Sequence, residues 1–129
     1  MPQIENLVLF QKVCDFISFV HPYVAKFPKN ERFVLGQKIE DELLSFVKLL
    51  MLVNKKTVRV SQDADALCLR LDVAQVYIRL AHTMKFINTS SYLRISERLQ
   101  ECTRLCYGYC KPFSSISVVE SLSSARERG

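Results

Sequence analysis

Cys102, Cys106 and Cys110 follow one another at intervals of four. On a helix that interval keeps side chains on nearly one face, so three thiols can point together at a soft metal ion. The same pattern suits a packed interior, where a free cysteine behaves as a small hydrophobe. Cys102 and Cys106 fall on the apolar repeat of their segment, and the core reading takes precedence there. The two histidines, His21 and His82, have no Cys, His or carboxylate partner at ligand spacing, so no zinc motif is present. Glu40-Asp41-Glu42 is acidic, but consecutive residues fan around a helix and suit a solvated or ion-pairing face better than an acid–base pair. Gly36, Gly108 and Gly129 lie too far apart for a phosphate-binding loop.

A helical ribonuclease is a further class to weigh. Its Arg–His motif needs a wider spacing than Arg79-Leu80-Ala81-His82 provides. No nucleophile and base fall into a usable arrangement elsewhere. The expectation is a protein that is not an enzyme, with no catalytic, cofactor-binding or metal residues.

Basic side chains are the remaining chemistry. The chain carries 18 Lys and Arg against 13 Asp and Glu, a net charge of +5. Residues 1–54 and 112–129 are each balanced, so the whole excess falls in residues 55–111. The contributors are Lys55, Lys56, Arg59, Arg70, Arg79, Lys85, Arg94, Arg98, Arg104 and Lys111. A localised excess of this kind fits an anionic partner, nucleic acid or an acidic protein face, and it also fits a plain solvated surface. Arginine grips phosphates bidentately. No aromatic-interleaved strand motif for reading bases is present, so phosphate contact without base readout is what the pattern supports.

The elements that must position these residues are four amphipathic runs. Apolar residues recur at intervals of three and four through Leu9, Val13, Phe16, Val20 and Val24, then through Leu35, Ile39, Leu43, Phe46, Leu50 and Val53. A third run passes through Ala64, Leu67, Leu71, Ala74, Ile78 and Ala81, and a fourth through Tyr92, Ile95, Leu99, Cys102, Cys106 and Tyr109. That periodicity predicts helices with one buried stripe. Asn30 and Ser61 are the expected N-caps of the second and third, with Asp63 and Asp65 suiting the positive end of the third. Pro22 should kink or shorten the first, and Pro112 should end the fourth. Val58-Arg59-Val60 alternates like a strand but has nothing to pair with. The second helix, about 25 residues at ~1.5 Å each, is expected to run unbroken for about 37 Å.

Short connections between four such helices predict an all-α, up-down-up-down antiparallel four-helix bundle over residues 1–113. Residues 114–129, with six serines and no period, are expected to form a mobile tail. Leu44, Val47 and Met51, with Phe10, Ile17, Val73, Val76, Tyr77 and Leu80, form apolar stripes that one four-helix monomer cannot cover, which points to oligomerisation. Five cysteines without a signal peptide predict a reduced, cytoplasmic protein. The most apolar stretch, Leu43 to Val53, contains Lys48 and is too short for a bilayer, so no membrane association is expected.

Three motifs resemble a known family. Phe27-Pro28-Lys29-Asn30-Glu31-Arg32-Phe33-Val34-Leu35-Gly36-Gln37 is similar to the F-P-K-x-x-R-F-x-L-G-Q pattern of the accessory variability determinant of diversity-generating retroelements. Arg79-Leu80-Ala81, followed by Lys85, Ile87 and Tyr92, resembles the family's R-L-A, lysine and tyrosine spacing. Glu101 through Lys111 resembles E-I-G-R-x-L-G-G-W-x-K, with Thr103 and Tyr107 in place of glycines and Tyr109 in place of tryptophan. The resemblance covers roughly residues 7 to 111. It implies a four-helix bundle assembled as a homopentameric barrel with a basic surface. It also implies a non-catalytic scaffold that binds the retroelement's reverse transcriptase and nucleic acid, the template RNA and cDNA, in mutagenic retrohoming. The alternative is a related bundle of the ribosomal RNA intervening-sequence type, RNA- or ribosome-associated and without activity. The serine-isoleucine-x-x-asparagine-isoleucine-alanine-glutamate run of those relatives is missing from Leu44 to Leu52.

Overall fold

The computed structural model describes residues 4–114. The expected Ser-rich tail lies outside the described residues from position 115 onward. Four long helices form where the apolar periodicity places them: α1 over Ile4–Ala25, α2 over Gln37–Lys55, α3 over Ser61–Thr83 and α4 over Thr89–Cys110. Every residue of the four stripes is buried except Tyr92, which is half-buried and stacks on the His82 ring at 4.3 Å.

Each helix packs against its chain neighbours, and α4 closes the ring against α1. With connections confined to residues 26–36, 56–60 and 84–88, neighbours run antiparallel, and the described chain is an up-down-up-down four-helix bundle. No strand forms among the described residues. Val58-Arg59-Val60 belongs to the α2–α3 connection, and Val60 is extended.

Pro22 neither ends nor shortens α1, which continues to Ala25. The ring removes one N–H that would have bonded the carbonyl four residues back. Ser18, which carries that carbonyl, is itself exposed, so solvent can satisfy the freed group. Among the described helices, α1 is long and apolar enough to cross a membrane by length and composition, over Leu7–Ala25. Leu43 to Val53, the stretch weighed on sequence, lies within α2. In the fold, α1 puts Leu9, Val13, Phe16, Val20 and Val24 into the bundle core, which accounts for part of its hydropathy, while Leu7, Val8 and Phe10 stay exposed.

The expected unbroken second helix is instead a compound element. One α turn over Lys29–Glu31 leads into a wider π turn over Arg32–Gly36 and then into α2. The wider turn brings the consecutive residues Leu35 and Gly36 both to the inside. Asn30 is not the cap. Pro28 precedes the first turn, and its carbonyl accepts from the Glu31 and Arg32 N–H groups at 2.8 and 3.0 Å. Ser61 is not a cap either, because α3 begins on it and Val60 holds the flanking position. The side-chain cap comes from inside the helix, where Asp63 Oδ2 accepts from the Val60 N–H at 2.9 Å.

At the other end of α3 the Phe86 N–H reaches the Ala81 carbonyl at 2.8 Å and the Lys85 N–H reaches the His82 carbonyl at 3.0 Å. This is a Schellman closure, and Lys85 fills its left-handed position at φ 66°. Asn88 caps α4 by accepting from the Ser91 N–H at 2.8 Å. As Pro112 predicts, α4 stops at Cys110 and gives way to a 3-10 turn over Lys111–Phe113.

Candidate functional site

The ten basic residues divide by what they touch. Three are engaged within the bundle. Lys56 Nζ donates to Asp63 Oδ1 at 2.7 Å, and that bond with the Val60 N–H holds the Asp63 carboxyl below its ordinary range. Arg59 folds back onto the end of α2, donating to the Val53 and Asn54 carbonyls at 3.2 and 3.3 Å. Its guanidinium also lies 5.5 Å from the Tyr109 ring and 5.8 Å from Phe113. Arg59 thus ties the ends of α2 and α4 together and satisfies carbonyls that a helix end leaves open. Arg70 pairs with Glu42 at 3.3 Å between α3 and α2.

Arg94 and Arg98 line a groove between α1 and α4 with Lys12, Phe19, Glu97 and Glu101. Arg98 lies over the Phe19 ring at 4.0 Å, and Arg94 donates to the Tyr23 hydroxyl at 3.4 Å. Lys12 pairs with Glu101 at 3.2 Å. The groove therefore carries mixed charge, with two arginines held in place by aromatic neighbours.

Lys55, Arg79, Lys85, Arg104 and Lys111 are exposed, and among the described residues their side chains make no ion pair or hydrogen bond. Lys55 and Lys111 sit at one end of the bundle, where α2 and α4 finish. Arg79 and Lys85 sit toward the other end, where α3 finishes. The structure does not gather the ten residues into one patch.

Apolar side chains also stay outside. Leu69, Val76 and Leu80 are exposed and Val73 is half-buried, which makes a second stripe at heptad spacing along α3. Leu44 and Met51 are exposed on α2, and Phe10 on α1. Phe33 and Val34, at 71% and 59%, stand free on the π turn. The rest of that motif is explained within the chain. Phe27 enters the core beside Phe86, Arg32 Nη1 reaches the Ala25 carbonyl at 3.4 Å, and Gly36 lies against Val24.

The acidic cluster of α2 is used for pairing between helices. Glu40 Oε1 lies 2.6 Å from His21 Nδ1, and Glu42 takes Arg70. His82 Nε2 contacts Thr89 Oγ1 at 3.1 Å.

The cysteines regroup. Cys102 turns away toward the Lys12 carbonyl at 3.5 Å, and burial pushes its thiol up to about 11. Cys106 and Cys110 meet Cys68 of α3 instead, with all three sulfurs within 4.8 Å of one another and all three residues buried. Sequence reasoning missed Cys68. The signal was its position four residues after Ala64 and three before Leu71, on the edge of the buried stripe. Thiol contacts from Cys106 and Cys110 pull Cys68 below its ordinary value despite its burial. Contacts with Cys110 and Cys68, then burial, push Cys106 up. These three sulfurs are the one soft ligand set the described residues assemble.

No curated protein and no solved structure matches the chain. The family model described as bAvd-like matches residues 7–113, which spans all four helices. The motif-bearing turn before α2, the second motif at the end of α3 and the third along α4 all lie inside that span, and the chain belongs to the bAvd-like family, that of the Bordetella accessory variability determinant.

Proposed function

We propose that this chain is a non-catalytic accessory protein of a diversity-generating retroelement. It binds the element's reverse transcriptase together with template RNA and cDNA in the cytoplasm and supports mutagenic retrohoming. It works as a homopentameric barrel.

The observation that carries this reading is surface the bundle makes no use of. Five basic side chains, Lys55, Arg79, Lys85, Arg104 and Lys111, stand exposed without a side-chain partner among the described residues. The α3 stripe of Leu69, Val76 and Leu80 is also exposed, at the spacing that packs helix on helix. Apolar stripes of this kind suit contacts between copies. Five copies would repeat the +5 excess to about +25, a strong attractor for RNA through counterion release. Gly108 adds to this. Nothing lies within 4 Å of a Cβ built there, so no packing inside the chain requires a glycine, whose cost in a helix is about 1 kcal/mol. A close partner backbone would explain it.

The test is a low-salt pull-down of the tagged protein from its own host, with mass spectrometry of what co-purifies and light scattering of the pure protein. The expected result is a reverse transcriptase with bound RNA, and a particle near five times the 14.9 kDa chain. A stable monomer that retains neither RNA nor reverse transcriptase overturns the reading. Recovery of ribosomal components instead moves the assignment to an RNA-associated bundle of the intervening-sequence type.

A further inference from the structure

Most of the interior of this bundle is hydrocarbon, and its cysteines need not meet. Cys14 and Cys102 stay apart, the second turned to a backbone carbonyl. Cys68, Cys106 and Cys110 converge instead. Two come from successive turns of α4 and the third from the facing side of α3, so rigid elements hold all three. The Cys68–Cys106 sulfurs are 3.8 Å apart, and no pair in the trio exceeds 4.8 Å. A single ion at a metal–sulfur distance of about 2.3 Å spreads three ligands to edges of about 4 Å. The observed triangle is that size before any metal enters.

We infer that Cys68, Cys106 and Cys110 form a binding site for one soft, thiophilic d10 metal ion, held by three sulfurs between α3 and α4. Soft thiolate ligands select Cu(I) and Zn(II) among the common ions. No carboxylate or imidazole among the described residues joins the set, and three-sulfur coordination without a fourth protein ligand favours Cu(I). Each thiol that becomes a ligand gives its proton to solvent, and the ion takes its place. Cys68, at 9% the most exposed of the three, marks the way in. The site is independent of the proposed role in retrohoming, and its test does not need the reverse transcriptase.

The experiment titrates reduced, full-length protein with Cu(I) under anaerobic conditions against a chromogenic Cu(I) chelator, with a parallel arm using Zn(II). The expected result is one ion per chain with a sulfur-to-metal charge-transfer band in the ultraviolet. Cys68→Ala should weaken binding by roughly 100-fold or more, beyond the ~10–100-fold that losing an outer partner costs. Cys14→Ala should leave it unchanged. Helicity by circular dichroism shows whether each variant folds, and Cys110→Ala replaces Cys68→Ala if that one does not. X-ray absorption on the loaded wild-type protein counts sulfur neighbours directly, with three expected. Stoichiometric Zn(II) lost in the same variants also supports the site. No stoichiometric binding of either ion, equal binding in wild type and a folded Cys68→Ala, or fewer than three sulfur neighbours overturns it.

Discussion

Gly36 lies so close to Val24 that a Cβ built on it would sit 2.8 Å from Val24 Cγ1. Val24 is buried in the last turn of α1 and has a stiff branched side chain, so it has little room to yield. The backbone at Gly36 is ordinary right-handed helix, so the glycine is there for space and not for conformation. Gly36→Ala should therefore destabilise the bundle by about 1–3 kcal/mol from overpacking, against a propensity gain of roughly 0.5–1 kcal/mol. Urea denaturation measures the balance. A midpoint above wild type would show that the turn before α2 relaxes freely.

The opposite sign is expected at Lys85, where a side chain occupies the left-handed conformation at φ 66°. A non-glycine residue there carries roughly 1 kcal/mol of strain. Lys85→Gly removes it and should raise the thermal midpoint by a few degrees, although it deletes a positive charge. Nucleic-acid affinity measured on the same variant separates the two effects. Higher stability with weaker RNA retention would identify Lys85 as a residue kept for its charge.

Asp63 makes acid stability depend on one carboxylate. Its bonds to Lys56 and the Val60 N–H favour the ionised form, so its proton is held less tightly folded than unfolded. Its contribution is present above the ordinary carboxylate value and is lost as pH falls through the lowered one. Asp63→Asn should cost about 1–2 kcal/mol at pH 7. The gap to wild type should narrow as pH falls below the ordinary carboxylate range and close once the folded carboxylate, with its lowered value, is protonated too. Paired urea curves at pH 7 and pH 3 read the difference directly. A gap that stays constant would mean the cap works through shape alone.

Arg59 and Arg104 look equivalent in sequence and should behave differently. Arg59→Ala removes bonds to two carbonyls and the contact with Tyr109, and should cost about 1–3 kcal/mol of stability. Arg104→Glu alters an exposed side chain and should leave the denaturation midpoint within about 0.5 kcal/mol. If Arg104 meets phosphate, the variant binds RNA more weakly and its salt slope falls by about one. Unchanged RNA binding would take Arg104 off the nucleic-acid face.

The helices and their core were legible because a 3.6-residue period needs no tertiary information. Leu9 through Tyr109 fell on the buried side by spacing alone, apart from the half-buried Tyr92. Termini were harder. Asn30 and Ser61 are good capping residues, but the Pro28 and Val60 carbonyls accept from the Arg32 and Asp63 N–H groups those side chains would have capped. Which group wins depends on chain direction entering the helix. The π turn was invisible in the apolar spacing, because it brings the consecutive residues Leu35 and Gly36 inside together and sets Gly36 against Val24 of another element. Charge location was readable and charge availability was not. Lys56, Arg59 and Arg70 belong to the basic excess, but the fold engages them with Asp63, the Val53 carbonyl and Glu42. Cys68 shows the same limit, since its link to Cys106 and Cys110 exists only across the α3–α4 interface.

The closure of α4 against α1 has a consequence for biosynthesis. α1 leaves the ribosome first and α4 last among these helices, and at about 5–20 residues per second the wait between them lasts several seconds. Throughout it, the side of α1 that Lys12 and Glu101 later bridge has no neighbour to cover it. This is also the segment apolar enough to be taken for a membrane span. Early pairing of α1 with α2, which it also touches in the finished bundle, would cover part of that surface before the ring shuts.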